Sequence, residues 1–203
     1  MKIGLVGATG NVGQRIVAEA VQRGHAVVAI ARDASRIATQ PGVMPVSADL
    51  LDEAAIGRAL AGADVAILSV RFQGLDFERA LAAIAASGVP RLLVVGGAAS
   101  LEVAPGRVLL DQPDFPDFIK PEATPARAAL DRLRREEKLD WTFLSPSVFF
   151  GPGARTGTFR LGGDTLLSDA EGKSHISYED YAIALLDEIE MPRHHRQRFT
   201  VGY

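Results

Sequence analysis

Three glycines spaced Gly7-x-x-Gly10-x-x-Gly13 follow a short apolar run at 3–6 and lead directly into an amphipathic helical pattern. A strand, a glycine turn and a helix start in that order constrain the fold strongly, because the backbone must turn beside the N-terminus of a helix. Gly7 turns the chain off the strand, Gly10 has no Cβ to hold a ligand away from the backbone, and Gly13 lets the helix close on the sheet. The unpaired N–H groups of the first helical turn then face an anion, and a dinucleotide pyrophosphate suits that arrangement. The spacing is not the common G-x-G-x-x-G, but its context supports the same reading. A second apolar run at 26–30 ends in Arg32-Asp33, about 20 residues beyond the glycines, where an adenosine ribose is expected. An arginine there suits a ribose 2′-phosphate, which predicts NADP (NADPH preferred) over NAD. Asp33 could serve the ribose of NAD, but it is expected to cap a short helix.

The rest of the chain alternates short β-rich runs with helical patterns. Strands are expected at 3–6, 26–30, 43–47, 65–70, 91–95 and 141–144, and helices at 12–22, 53–60, 77–86 and 122–137. Asp52 and Asp76 stand at helix starts as caps, and Gly24 and Gly88 at helix ends. The runs VVAI, VAILSV and RLLVV are continuously apolar, as in strands covered on both faces of a parallel sheet. The alternation gives an α/β fold, a doubly wound parallel sheet of the Rossmann type. At 203 residues the chain reads as a single domain, 1–203. A net charge of −3 gives no attraction to nucleic acid or an anionic membrane surface. The absence of cysteine excludes thiolate chemistry and fits a cytoplasmic protein. No apolar run approaches the ~20 residues of a membrane span.

Regularity breaks after the fifth strand. Residues 97–121 carry four prolines and little periodicity, and they leave the end of a central strand, where ligands bind in such sheets. With Leu109, Leu110, Phe115 and Phe118, this segment reads as a lid over a substrate. Farther on, 158–161 and 165–168 flank Gly162-Gly163 as a hairpin signal, 175–190 reads as a helix, and 199–203 as a final strand. Residues 151–203 are expected to form a small C-terminal substrate cap. His194-His195 lacks the spacing of a metal site and no metal is expected. No serine lies in a G-x-S-x-G elbow.

GATGNVG at 7–13, ADL at 48–50, VVGG at 94–97, DWTFLSPSVFFGPG at 140–153 and the ISYEDYAIALLDEIE segment resemble the atypical short-chain dehydrogenase/reductases. The resemblance is to their NAD(P)H-binding, NmrA-like and NADH-flavin-reductase-like members, and it covers nearly the whole chain. It implies that Gly7, Thr9, Gly10, Asn11, Val12 and Gly13 line the pyrophosphate, that Arg32 meets the adenosine ribose, and that Asp49 and Leu50 sit at the adenine. Ser69, Val70 and Arg71 would run along the nucleotide. Gly96 and Gly97 would lie by the nicotinamide ribose, and Pro146, Ser147, Val148 and Phe149 would border the nicotinamide.

One departure matters. The wider superfamily reduces carbonyls with a Tyr-x-x-x-Lys pair, yet Tyr178 and Tyr181 are followed four residues on by Ala182 and Leu185. Hydride transfer to an acceptor that needs little proton help stays open, with a flavin (FMN or FAD) or a quinone as substrate. Ser100 and Lys120 are the weak catalytic candidates. The expectation is an NAD(P)H-dependent oxidoreductase acting on a small molecule. The alternative is a regulatory protein that senses the dinucleotide without turning it over.

Overall fold

The computed structural model describes residues 1–203. Its main sheet has eight strands. In chain order, β1 (Lys2–Val6), β2 (Ala26–Ala31), β3 (Val43–Ser47), β4 (Val65–Leu68) and β5 (Arg91–Val95) alternate with α1 (Asn11–Gln22), α2 (Glu53–Leu60) and α3 (Phe77–Ala86). There follow the two-strand hairpin of β6 (Glu102–Ala104) and β7 (Arg107–Val108), then α4 (Lys120–Leu133) and β8 (Asp140–Ser145). The chain ends with β9 (Phe149–Gly151), β10 (Arg160–Gly162), β11 (His175–Ser177), α5 (Tyr178–Glu190) and β12 (Gln197–Gly202). The spatial order is β10-β12-β8-β5-β4-β1-β2-β3, parallel except for the edge strand β10. The order reverses at β1 and β4, which is the doubly wound Rossmann arrangement and its ligand-binding switch point.

Period two divides the strand residues between two helix layers. Ile3, Leu5, Val27, Ala29, Val65 and Ile67 pack with α1 and α5. Val6, Val28, Ile30, Ala66 and Leu68 pack with α2, α3 and α4. Both faces are covered, so the continuous apolar runs are explained. No helix is long and apolar enough to cross a membrane.

Four sequence expectations are corrected. The fourth strand stops at Leu68, because the chain leaves the sheet there and presents the Ser69 carbonyl to Gly7. The helix expected at 122–137 spans Lys120–Leu133; Glu136 accepts from the N–H groups of Lys138 (3.0 Å) and Leu139 (3.3 Å) and holds a turn in place of another helical turn. The 158–168 hairpin does not form. Arg160–Gly162 instead pairs antiparallel with Thr200–Gly202 and covers an otherwise open edge, while Thr165 bridges to Glu102. Finally, His175–Ser177 is a strand paired with Phe149–Gly151, and the helix starts only after Ser177, whose hydroxyl accepts from Asp180 N–H at 3.0 Å.

The C-terminal residues are thus divided. β12 and β10 extend the main sheet, α5 joins the layer of α1, and 152–158 runs over their junction. The first turn of α5 holds that stretch. Glu179 accepts from Gly153 N–H at 2.9 Å, and Asp180 from the N–H groups of Thr156 (2.8 Å) and Gly157 (2.9 Å).

Candidate functional site

The glycine turn explains the first half of the site. Gly7 adopts φ +91°, and a Cβ there would overlap the Ser69 carbonyl. A Cβ on Gly13 would overlap the Gly7 carbonyl, so α1 begins as close to the turn as backbone allows. α2, α3 and α5 are capped by Asp52, Asp76 and Ser177, but α1 has no side-chain cap and no acidic residue in its first turn. Its leading N–H groups are left for an external anion.

They open into a cavity of about 640 Å³ at the C-terminal ends of β1, β2 and β4. Gly7, Thr9, Gly10, Asn11, Val12, Arg32, Asp49, Leu50, Ser69, Val70 and Arg71 line it. Gly13 does not; it serves the packing of α1 alone. Arg32 is exposed and makes no ion pair, and Arg71 lies 3.8 Å from its nearest carboxylate, Glu122. Asp33 is outside the wall. Its carboxylate accepts from Ser35 Oγ (2.6 Å) and Ser35 N–H (3.1 Å), which hold its pKa below the ordinary value and leave it capping the next turn.

A second cavity of about 440 Å³ shares Val70 and Val95 with the first. Gly96, Gly97, Ser100, Pro146, Ser147 and Val148 line it. Phe72, Leu109, Phe115 and Ile119 make its walls apolar, so the 97–121 segment does contribute to it. Two expected residues do not. Phe149 is 68% exposed and belongs to a separate shallow cleft, because its strand pairs with β11 and turns the ring outward. Lys120 lies outside the wall, its ammonium on Asp117 at 2.6 Å.

The polar groups around this second cavity are mostly engaged. Glu122 accepts from the N–H groups of Phe72 (2.7 Å) and Gln73 (2.9 Å), and so ties α4 to the 69–75 loop that borders both cavities. Arg127 holds both oxygens of Asp111, at 2.7 and 2.9 Å. Ser147 donates to the Val201 carbonyl at 3.0 Å. Ser100 Oγ accepts from Arg198 Nη1 at 3.3 Å. Burial lowers the Arg198 pKa from its usual value, and Asp164 works against that shift.

No tyrosine faces either cavity. Tyr181 is fully buried beneath them and donates to the Leu144 carbonyl at 2.7 Å; burial pushes its pKa well up. Tyr203 donates to Asp180 at 2.7 Å, and burial raises its pKa as well. Asp180 is fully buried, yet hydrogen bonds from Thr156, Gly157 and Tyr203 hold it below the ordinary carboxylate range. Sequence reasoning missed Glu122 and Arg198, whose partners lie 50 and 98 positions away in the chain.

Residues 7–192 match the family model described as NAD(P)H-binding. The uncharacterised protein YwnB of Bacillus subtilis (strain 168) is 42% identical, over 99% of this chain and 98% of its own. A Bacteroides thetaiotaomicron protein provisionally called an epimerase has a solved structure with TM-score 0.94 and 38% identity, covering 100% of this chain and 96% of its own. A Streptococcus pneumoniae protein provisionally called an NADH-flavin reductase gives TM-score 0.87 and 35% identity, covering 100% of this chain and 99% of its own.

Proposed function

The chain belongs to the NAD(P)H-binding family, and from that membership we propose that it is a cytoplasmic NADPH-dependent reductase delivering hydride to a planar acceptor such as a flavin or quinone. The observation that carries the reading is the uncapped start of α1, opening into one cavity that shares Val70 and Val95 with a second, apolar one. The first fits a dinucleotide, the second a flat ring stacked beside its nicotinamide end. In this reading the Gly7–Val12 turn cradles the pyrophosphate. The Asn11 and Val12 N–H groups at the head of α1 are the donors, because those of Gly7, Ala8 and Gly10 are spent on the Ile30 and Gly7 carbonyls. Arg32 binds the 2′-phosphate, since its guanidinium is free and Asp33 is engaged. Asp49 and Leu50 flank the adenine, while Gly96, Gly97 and the Pro146–Val148 stretch border the nicotinamide. The 97–121 segment is the lid over the acceptor; residues 151–203, expected as a substrate cap, line neither cavity and border the separate shallow cleft with Phe149 instead.

When bound, the reduced nicotinamide supplies the hydride. The protein's part is to hold the two rings in contact, the proton being drawn from water after hydride transfer. The NADH-flavin reductase assignment of the pneumococcal protein supports an acceptor of this class. One observation favours the alternative, a sensor that binds the dinucleotide and turns nothing over: neither cavity carries a tyrosine acid. Titration calorimetry with NADPH and NADH, followed by NADPH oxidation in the presence of FMN, FAD or a quinone, tests both. Tight binding with no oxidation by any acceptor would leave the sensor.

A further inference from the structure

The side chain of Arg198 is 2% exposed, and its guanidinium is divided between two partners. Nε donates to Asp164 Oδ1 at 2.6 Å and Nη2 to the same oxygen, while Nη1 reaches Ser100 Oγ at 3.3 Å. Asp164 is 61% exposed, so water solvates the carboxylate but not the guanidinium. The positive charge is therefore neutralised mainly on its outer side, and its inner side ends on a hydroxyl in the wall of the second cavity. Ser100 accepts that bond, and its own hydrogen has no acceptor within the protein. A hydroxyl whose oxygen accepts from a cation is a stronger donor in its turn. An ion pair built only to fasten Asp164 would not need the third nitrogen on Ser100.

The remaining charges of this cavity are taken: Glu122 holds two backbone N–H groups and Arg127 holds Asp111. What the side chains of the wall offer a ligand is one hydroxyl donor among apolar groups, beside the leading backbone N–H groups of the Ala98–Ser100 turn, and no cation free of a carboxylate. A neutral ring bearing a carbonyl oxygen suits that wall, and a ligand bringing a phosphate does not.

We propose that Arg198, acting through Ser100, strengthens a hydrogen bond to the carbonyl oxygen of a neutral, quinone-like acceptor; this rests on the reductase reading above. Ser100 is then the catalytic residue that touches the acceptor, and Arg198 its positioning residue. Hydride addition pushes an electron pair onto the acceptor's oxygen, where the Ser100 O–H steadies the developing negative charge. A proton from water completes the two-electron reduction to the hydroquinone, and the dinucleotide is oxidised by the same two electrons.

The test is steady-state kinetics with menadione, riboflavin and FMN for the wild type, Ser100→Ala, Arg198→Lys and the double variant. Ser100→Ala is expected to lower kcat with menadione about 10²-fold, the scale of losing one preorganised donor, with KM for NADPH unchanged. Arg198→Lys is expected to cost about tenfold in the wild-type background and nothing further in Ser100→Ala. Equal costs in both backgrounds would show that Arg198 only supports the fold. Should Arg198→Lys not fold, Asp164→Asn replaces it: removing the neutralising carboxylate should raise kcat with menadione, and a fall overturns the proposal. Faster turnover of FMN than of riboflavin and menadione would also overturn it, because the phosphate would then be recognised. Tight NADPH binding with no turnover of any acceptor would instead remove the reductase reading beneath it.

Discussion

The first cavity takes its floor from adjacent residues, Gly7 to Val12, and the second is assembled from Val70, Ser100, Phe115, Glu122 and Ser147, which meet only in the fold. In the first, backbone does the work: a left-handed glycine, a close helix approach and unpaired N–H groups. In the second, side chains do it, and the polar ones, Ser100, Glu122 and Ser147, are fixed by partners from distant segments. A local backbone device should fail abruptly and at single positions. An assembled wall should fail gradually, through whichever tie is cut.

The largest expected effect lies in the first region. Gly7→Val and Gly13→Val each set a side chain against backbone carbonyls that cannot move aside, so each should cost about 3 kcal/mol or more in urea denaturation. Gly10 separates fold from binding. A Cβ there meets the Gly7 carbonyl at 3.3 Å, a contact that small shifts relieve, and otherwise projects to the cavity. Gly10→Val should therefore stay folded and lose about 10²-fold or more in NADPH affinity by calorimetry, about 2.7 kcal/mol. Unchanged affinity in the folded variant would remove the pyrophosphate from this turn.

Glu122→Ala tests the second region. Two charge-assisted hydrogen bonds to the 69–75 loop disappear, each of about 1.5–3 kcal/mol before the loop relaxes. Because the loop borders both cavities, KM should rise for NADPH and for the acceptor together, by about tenfold. A rise confined to one of them would mean that the cavities are not coupled through this loop.

Arg32→Ala refines the first cavity. Loss of a guanidinium–phosphate contact should weaken NADPH by about tenfold to hundredfold and leave NADH nearly unchanged. Equal loss for both cofactors would shift the role of Arg32 from the 2′-phosphate to the shared part of the molecule.

The same division explains what the sequence revealed. The turn, the strand run and the caps at Asp52 and Asp76 depend on neighbours within a few residues, and so does the parallel sheet through its βαβ alternation; the Ser177 cap is hidden because the strand before it pairs with distant Phe149–Gly151. Asp33 reads in the sequence as a helix cap rather than a ribose ligand, a local role, and the structure shows it spent on Ser35. Residues 158–168 misled because a Gly-Gly turn signal is local, whereas the open edge of β12 that claims Arg160–Gly162 is not. Lys120 and Phe149 were drawn toward the site by position in the chain, and local pairing with Asp117 and β11 turns them away. Glu122 reads in sequence as an ordinary acidic residue of a first helical turn; its partners at 72 and 73 leave no periodic trace.

The smallest expected effect separates the cavities from the tyrosines around them. Tyr181 lies directly under the site, at the ends of β5 and β8, yet its hydroxyl is spent on the Leu144 carbonyl inside the core. That carbonyl also accepts from Gly96 N–H at 2.9 Å, so Tyr181→Phe leaves no orphaned acceptor and should cost only about 1 kcal/mol of stability. Tyr178 packs edge-on to Phe150 with ring centroids 4.7 Å apart, a contact that phenylalanine keeps. Tyr178→Phe, Tyr181→Phe and the pair should all hold kcat with flavin or quinone acceptors within about twofold, since proton delivery from water needs neither hydroxyl. A fall of about 10²-fold in a variant that still binds NADPH, the scale of lost general acid catalysis, would mean that Tyr181 leaves Leu144 and reaches the acceptor. The second cavity would then depend on a group from beneath the sheet ends, and its chemistry would be the acid catalysis of the wider superfamily.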